Sequence, residues 1–485
     1  MNLKELLSRN NPSKVKIYLI GIGGVGMGSL AKVLIESGYE IYGSDLLKNK
    51  MTDQLISMGA KINFFHRPKN VIGSDLIVIS SAISQDNVEI VEAQKYNIPV
   101  FHRIEILSEI VKNRFSIVIT GTHGKTTTTS MISEMLKNEN FHPNYIIGGF
   151  SKSLKECAYW NERNEIVVIE MDESHPIFLQ FDPSVLIVTG LEVDHINNYE
   201  NSFKKLKHTF LKFIQKLSHF SKVILCIENS AIRSIIKNIH CQMITYGFRK
   251  DSHFRILSYE QKKNRCHFSI LDPSHSIYSF QMNTPGVHNV LNATSTIILG
   301  KLFGIKEDRI QKSIKCFKGV SNRLDFLGKF ILKNQDGNFC KFLLISDYGH
   351  HPNAIRFTIE TIRVGWKRNR IIMIFQPHRY TRFQKFYNYF LNVLEKVDLL
   401  LITEICSSGE REISKLNVFS FHQEMKNRKK NTSFLFFKED QLIDILKKVI
   451  QNKDIILVQS ASEYDCIKIC NTIKKISHPI GKYEI

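Results

Sequence analysis

Phe115-Ser116-Ile117-Val118-Ile119-Thr120-Gly121-Thr122-His123-Gly124-Lys125-Thr126-Thr127 is the stretch on which the fold turns. A short apolar run reads as a buried strand, breaks at two glycines and passes into a helical pattern. Gly121 and Gly124 let successive backbone N–H groups form a nest for phosphate. Lys125 brings a mobile positive charge to the terminal phosphates of a nucleotide, and the Thr126 hydroxyl is a ligand type that Mg²⁺ accepts. Gly121, Thr122, His123, Gly124, Lys125, Thr126 and Thr127 are therefore the candidates to hold ATP. A strict P-loop would carry glycine at position 119; Ile119 stands there, so the loop is a variant.

A second strand–glycine–helix unit lies upstream. Lys16–Ile20 reads as a strand, Gly21-Ile22-Gly23-Gly24-Val25-Gly26 as a GxGxxG turn, and the residues to about Ser37 as a helix. Such glycines let the backbone approach a pyrophosphate at a helix N-terminus. Asp45, after a second strand over Glu40–Gly43, has the spacing of a ribose-binding acid. By itself this unit fits NAD as well as any other nucleotide, and a ligand-free turn produces the same pattern. Two phosphate loops in one chain narrow the choice. A kinase or motor does not need the first, and a dehydrogenase does not need the second.

The same alternation extends in both directions. Leu76–Ser80 and Val100 continue the first unit as strands, with a helix near Val88–Tyr96 between them. Ile166–Met171 and Val185–Thr189 add strands to the second. Leu206, Phe210, Phe213 and Leu217 recur at helical spacing, a stripe expected to be core. Phe342–Ser346, Ile371–Phe375, Val397–Thr403 and Ile455–Val458 alternate with helical segments in a third unit from about Ser321. At roughly 150 residues per domain, 485 residues make about three. The reading is α/β with three domains: a Rossmann-like N-terminal domain over 1–114, a central P-loop ATPase-type α/β domain over 115–320, and a C-terminal Rossmann-like α/β domain over 321–485.

With 66 basic and 46 acidic residues the formal charge is +20. Such a balance favours an anionic partner: nucleic acid, an acidic membrane or phosphorylated small molecules. The lysines are scattered among Asn, Ile and Phe, with Lys426–Lys430 one of few dense patches, and coding drift produces that pattern equally. No aromatic–basic RNA motif or helicase block supports a nucleic-acid-dependent ATPase. Nine cysteines without a CxxC pair argue against a disulfide framework or zinc site and for a reducing compartment. Met1-Asn2-Leu3-Lys4-Glu5 opens no apolar leader, and no apolar run reaches the ~18 residues of a membrane span. The expectation is a cytoplasmic protein, monomer or homodimer, without membrane insertion and without a nucleic-acid partner.

Further blocks follow in order: Glu170-Met171-Asp172-Glu173-Ser174, Asp194-His195, Gly286-Val287-His288-Asn289-Val290-Leu291-Asn292-Ala293, Phe317-Lys318-Gly319-Val320, Asp347-Tyr348-Gly349-His350-His351-Pro352 and Gln376-Pro377-His378-Arg379-Tyr380-Thr381-Arg382. Taken singly, most have a plain reading. Asp194-His195 reads as a surface pair, Asn289 and Asn292 as helix caps, and His350-His351 as a solvated turn. Glu170 is the exception, because carboxylates are uncommon at the end of an apolar strand. With Gly121–Thr129 and in this order, the blocks resemble the Mur ligases, which join amino acids to a UDP-linked muramic acid. The resemblance runs from about residue 15 to 460. Its last two blocks are similar to the L-alanine-adding branch; the branch that recycles a whole tripeptide lacks the Arg-Tyr-Thr-Arg block.

The resemblance implies amide formation driven by ATP with Mg²⁺. The γ-phosphoryl group passes to the lactyl carboxylate of UDP-N-acetylmuramate, and the L-alanine amine attacks the acyl phosphate. It implies catalytic roles for Lys125, His195, His350, Arg379 and Arg382, and Mg²⁺ ligation by Thr126, Glu170 and His195. Asn289, Asn292, Arg323 and Asp347 would join the loop in binding ATP. Gly21, Gly23, Gly24, Gly26, Asp45, His66, Ser81 and Arg103 would hold the UDP-sugar. The family pattern is broken at several positions. Ser346 replaces an Asp before Asp347, Asn322 replaces one of two adjacent arginines, and Ser460-Ala461-Ser462 replaces Gly-Ala-Gly. His175, Gly190 and Asn197 also depart. These motivate two alternatives, a tripeptide ligase of the same family and a nucleotide-binding descendant without turnover.

Overall fold

The computed structural model describes Leu3, Leu7 and residues 12–80, 83–173, 176–193, 196–200, 202–407, 410–413, 416–428, 432–460 and 463–480. The chain forms two compact units. One comprises Met1–Tyr259, His267–Met282 and Asn289–Gly319; the other comprises Glu260–Cys266, Asn283–His288 and Val320–Ile485.

The first sheet contains β1 (Lys16–Ile20), β2 (Glu40–Ser44), β3 (Lys61–Asn63), β4 (Leu76–Ile79) and β5 (Val100–His102), in the order β3-β2-β1-β4-β5. All of its pairings are parallel. β1 and β4 read as apolar runs because both faces are covered; Ile17, Tyr18, Leu19 and Ile20 are all fully buried.

The second sheet has ten strands: β6 (Phe115–Thr120), β7 (Asn144–Ile146), β8 (Ala158–Tyr159), β9 (Ile166–Glu170), β10 (Val185–Val188), β11 (Lys222–Cys226), β12 (Met243–Gly247), β13 (Phe254–Lys262), β14 (Arg265–Leu271) and β15 (Ile277–Met282). Their order is β15-β14-β13-β12-β11-β10-β6-β9-β7-β8. The helix Phe203–Lys216 buries Leu206, Phe210 and Phe213, as its apolar spacing predicts, and Leu217 is buried just beyond it. β13 to β15 are not among the strands expected from the apolar runs. The burial of β14 alternates, with Cys266, Phe268 and Ile270 inside and Arg265 and His267 outside. That is the period-two signature of a half-covered strand.

The third sheet contains β16 (Asp325–Lys333), β17 (Phe339–Asp347), β18 (Ile371–Gln376), β19 (Leu399–Ile402), β20 (Thr432–Leu435), β21 (Asp454–Ser460) and β22 (His478–Pro479), ordered β20-β19-β18-β21-β17-β16-β22. Its middle is parallel, and β16 runs antiparallel to β17 and β22. Ile345, Met373, Phe375 and Leu457 pack on one face; Leu344, Ile372, Ile374 and Ile456 pack on the other. The structure is thus α/β with three sheets. All nine cysteines are free. Among the described residues no helix is long and apolar enough to cross a membrane.

Candidate nucleotide and substrate sites

β6 lies between β10 and β9, so the sheet order reverses at its carboxyl end, where open α/β sheets bind ligands. Gly121 (φ +123°) and Gly124 (φ +85°) occupy the region that only glycine enters freely. Space is equally restrictive. A Cβ at Gly121 would lie 2.5 Å from Thr189 Oγ1, and one at Gly124 would lie 2.4 Å from Asn292 Oδ1. The loop is braced from the end of β10: the Thr122 N–H donates to Gly190 O (2.8 Å), the Glu192 N–H donates to Thr122 Oγ1 (2.9 Å), and Thr189 Oγ1 donates to His123 O (2.6 Å). Gly190 contributes its carbonyl, so its departure from the family pattern leaves that brace intact. His123 Nε2 lies 3.3 Å from Glu192 Oε2.

Lys125 opens the helix Lys125–Asn138. Its Nζ donates to Gly121 O (2.6 Å) and to Glu173 Oε2 (2.7 Å). Burial pulls the Lys125 pKa down, but the Glu173, Asp172 and Glu170 carboxylates outweigh it and hold the ammonium above its ordinary range. Desolvation pushes Glu173 up to about 7, with Lys125 opposing and Asp172 adding to the rise. The neighbouring carboxylates raise Lys125, whereas enclosure is the main cause of the rise at Glu173. Nothing in the sequence pattern alone gives Glu173 a role.

Glu170 closes β9 beside Ile119 of β6. Its Oε1 accepts from Thr126 Oγ1 (3.1 Å) and its Oε2 from the Gly148 N–H (2.7 Å). A Cβ on Gly148 would lie 2.5 Å from both carboxylate oxygens, so the carboxylate occupies a cradle shaped for it. A hydroxyl and a carboxylate side by side form an oxygen donor set that suits a hard cation such as Mg²⁺. His195, the other expected ligand, lies outside the described residues, as do Asp194, Ser174, His175 and Ser81. Asn289 and Asn292 sit inside the helix Val287–Leu302 rather than capping it. Both are buried, Asn292 Nδ2 is 3.4 Å from Asn289 Oδ1, and Asn292 packs on the Gly124 backbone.

The first glycine loop occupies the corresponding position at the end of β1, between β2 and β4. The Gly21 and Ile22 N–H groups donate to Ser44 O (2.8 and 3.0 Å), and the Gly23 N–H donates to Asp45 Oδ2 (2.8 Å). Gly24 precedes the helix Val25–Glu36. Arg103 Nη1 donates to Gly26 O (3.2 Å), and a Cβ on Gly26 would lie 2.9 Å from that nitrogen. Burial lowers the Arg103 pKa while Asp172 and Glu170 raise it, so this guanidinium electrostatically links the first loop to the carboxylates of the second. His66 joins Ser44 and a buried Glu89, which belongs to none of the sequence motifs.

The second unit gathers residues at the carboxyl ends of β17, β18 and β21. Asp347 is buried and its oxygens are engaged internally: Oδ1 accepts from the Leu324 N–H (2.8 Å), and Oδ2 accepts from Thr358 Oγ1 (2.9 Å) and Gln459 Nε2 (2.8 Å). It therefore anchors the turn that carries Arg323, whose guanidinium lies 4.9 Å from the Tyr348 ring centroid. Two departures from the family pattern meet here. Ser346 Oγ donates to Asn322 Oδ1 (3.3 Å), a neutral pair where the pattern has Asp and Arg. His350 and His378 rings are 5.7 Å apart, and Arg382 Nη1 lies 3.2 Å from His378 Nδ1. Arg379 has φ +63°, unusual for a residue with a side chain, and its N–H donates to Cys406 O (2.8 Å). The solvated-turn reading does not hold for His351. His351 is buried and accepts from the Asn353 N–H (3.3 Å), capping the helix Pro352–Gly365.

Three family profiles match in sequence order: Mur ligase family, catalytic domain, over residues 16–115; Mur ligase middle domain over 119–300; and Mur ligase, glutamate ligase domain, over 333–462. The chain is 40% identical over 452 residues to a UDP-N-acetylmuramate–L-alanine ligase of Baumannia cicadellinicola, covering 93% of this chain and 92% of that one. It is 40% identical over 479 residues to the protein of that name from Buchnera aphidicola, covering 98% and 99%. Among solved structures it is similar to the UDP-N-acetylmuramate-alanine ligase of Thermotoga maritima, with TM-score 0.79, 25% identity and coverage of 95% and 99%. A murein peptide ligase of Psychrobacter arcticus shares the fold at TM-score 0.70 and 19% identity, over 95% and 99%. This chain belongs to the Mur ligase family.

Proposed function

We propose that this protein joins L-alanine to UDP-N-acetylmuramate with cleavage of ATP, giving UDP-N-acetylmuramoyl-L-alanine, ADP and phosphate. The setting is the cytoplasm and the product a peptidoglycan precursor. The observation that carries the reading is 40% identity over 98% of the chain to a protein named for that reaction.

A carboxylate cannot expel oxide, so the lactyl carboxylate first takes the γ-phosphoryl group and the amine of L-alanine then displaces phosphate. Positioning and charge neutralisation carry most of such a reaction. Lys125, held protonated, would exchange Gly121 O and Glu173 for phosphate oxygens when the triphosphate enters. Thr126 and Glu170 would hold Mg²⁺, which supplies charge neutralisation at the phosphates. The first loop would take the diphosphate of the UDP-sugar on backbone N–H groups at a helix N-terminus. Arg379, Arg382 and His350 would meet the amino-acid carboxylate and the developing anion; guanidinium suits a carboxylate by bidentate pairing.

Phosphate release from Mg²⁺-ATP by the purified protein tests this, with UDP-N-acetylmuramate present and L-alanine added or omitted, beside Lys125→Ala. Release should require both substrates and vanish in the variant. Release with the tripeptide but not with L-alanine would instead assign the recycling reaction. Tight UDP-N-acetylmuramate binding with no release for either acceptor would assign a descendant without turnover.

A further inference from the structure

Beneath the first glycine loop lies a carboxylate that the chemistry above does not use. Glu89, in the first turn of the helix Val88–Lys95, is fully buried. Its two oxygens accept four hydrogen bonds. Tyr18 Oη (2.9 Å) and Asn70 Nδ2 (2.7 Å) donate to Oε1; Ser44 Oγ (2.6 Å) and His66 Nδ1 (2.7 Å) donate to Oε2. The donors come from β1, β2, the segment after β3 and the short turn Pro68–Val71, so one side chain ties together most of the sheet edge under the loop. A carboxylate has about four lone-pair positions, and all four are filled.

Two of these donors lead to the loop. Ser44 presents its hydroxyl to Glu89 and its carbonyl to the Gly21 and Ile22 N–H groups. His66 lies 3.1 Å from the same hydroxyl, and its side chain is 18% exposed, while that of Glu89 is wholly enclosed. Because a carboxylate only accepts, the His66 proton must sit on Nδ1. In the neutral ring Nε2 then carries a lone pair.

We propose that Glu89 is a positioning residue for the nucleotide-sugar site: it fixes His66 as the Nδ1–H tautomer, so that Nε2 accepts a hydrogen bond from an O–H or N–H of the ligand. The proposal rests on the reading that the first loop holds a UDP-sugar. Glu89→Gln tests it without emptying the space. The amide oxygen can still accept from Tyr18 and Asn70. The amide NH₂ must face Ser44, whose hydroxyl can turn, and His66 Nδ1, which must become the acceptor. His66 then carries its proton on Nε2 and offers a donor where the ligand needs an acceptor.

Two measurements decide the matter on the full-length protein. ¹⁵N chemical shifts of the His66 ring should report Nδ1–H in the parent and Nε2–H in E89Q. Calorimetry with UDP-N-acetylmuramate should show binding weakened about tenfold in E89Q, and no further weakening by E89Q once His66→Ala is present. ATP affinity should not change. An unaltered His66 tautomer, or a full additional loss in the His66→Ala background, overturns the proposal. If E89Q does not fold, Tyr18→Phe removes another donor to Glu89 while leaving His66 in place. It should keep the Nδ1–H signal and parent affinity; loss of either overturns the proposal. A parent that does not bind UDP-N-acetylmuramate overturns the substrate reading, and the ¹⁵N shifts still decide the role of Glu89.

Discussion

Gly148→Ala probes whether Glu170 stands where a cation must be held. Gly148 is exposed and its φ is not in the left-handed region, so neither core packing nor backbone strain resists a methyl group. The obstacle is the Glu170 carboxylate, whose two oxygens would lie 2.5 Å from the new Cβ. Ordinary contact requires about 1 Å more. The carboxylate is the end of a flexible side chain, so it can swing away at little cost to folding. In doing so it leaves Thr126 Oγ1, 3.1 Å away, and the Gly148 N–H that aims it. A misplacement of about 1 Å costs on the order of 100-fold in rate, or about 2.7 kcal/mol in the barrier. G148A should therefore release phosphate about 100-fold more slowly. It should also need more Mg²⁺ for half-maximal rate and melt within a degree or two of the parent. Parent-like rate and Mg²⁺ dependence in G148A would refute the assignment of Glu170. A large fall in melting temperature would refute the argument that the methyl group is resisted only by a mobile carboxylate.

Three further expectations concern groups away from that cradle. Asp347→Asn places an NH₂ either against the Leu324 N–H or against Thr358 and Gln459, whose amide is already committed to Gly349 O; it should destabilise the protein by about 2–3 kcal/mol, and an unchanged urea midpoint would contradict this. Gly124→Ala combines φ +85° with a Cβ 2.4 Å from Asn292 Oδ1, so ATP binding measured by calorimetry should fall by tenfold or more, on the order of 1–3 kcal/mol of strain. Burial pushes Glu134 up to about 6, against the Ser153 hydrogen bond and Lys318. Between the ordinary carboxylate range and about 6 the folded state then binds more protons than the unfolded one, so this group's stabilising effect is lost as pH rises through that window. Glu134→Gln should remove that slope and raise stability at pH 7.5 by about 1–2 kcal/mol, visible as a melting-temperature gain absent at pH 4.

Legibility differed between residues for physical reasons. The turn at Gly121 and Gly124 and the helix start at Lys125 were readable because glycines, charge and hydroxyl stand at fixed spacing in one contiguous segment. Arg379 and Arg382 stood out by the family block they belong to, but the unusual backbone of Arg379 and the contact of Arg382 with His378 were not in the string. Asn289 and Asn292 looked like caps because isolated asparagines favour that position. Their burial inside a helix, with Asn292 against Gly124, depends on a loop about 170 residues away. Gly148 and Glu89 gave no signal at all: an exposed glycine and a helix-initiating glutamate are commonplace.

Alone, the amino-acid sequence determined the α/β class, the two strand–glycine–helix turns and the order of the blocks, because strand alternation, glycine spacing and block order are properties of short segments. The tertiary structure alone decided which carboxylates are enclosed and by what. Glu89 acquires its four donors, Asp347 its three and Glu173 its lysine only when strands distant in sequence become neighbours in a sheet. Desolvation and hydrogen-bond geometry, which set what a carboxylate can do, do not exist until that packing is complete.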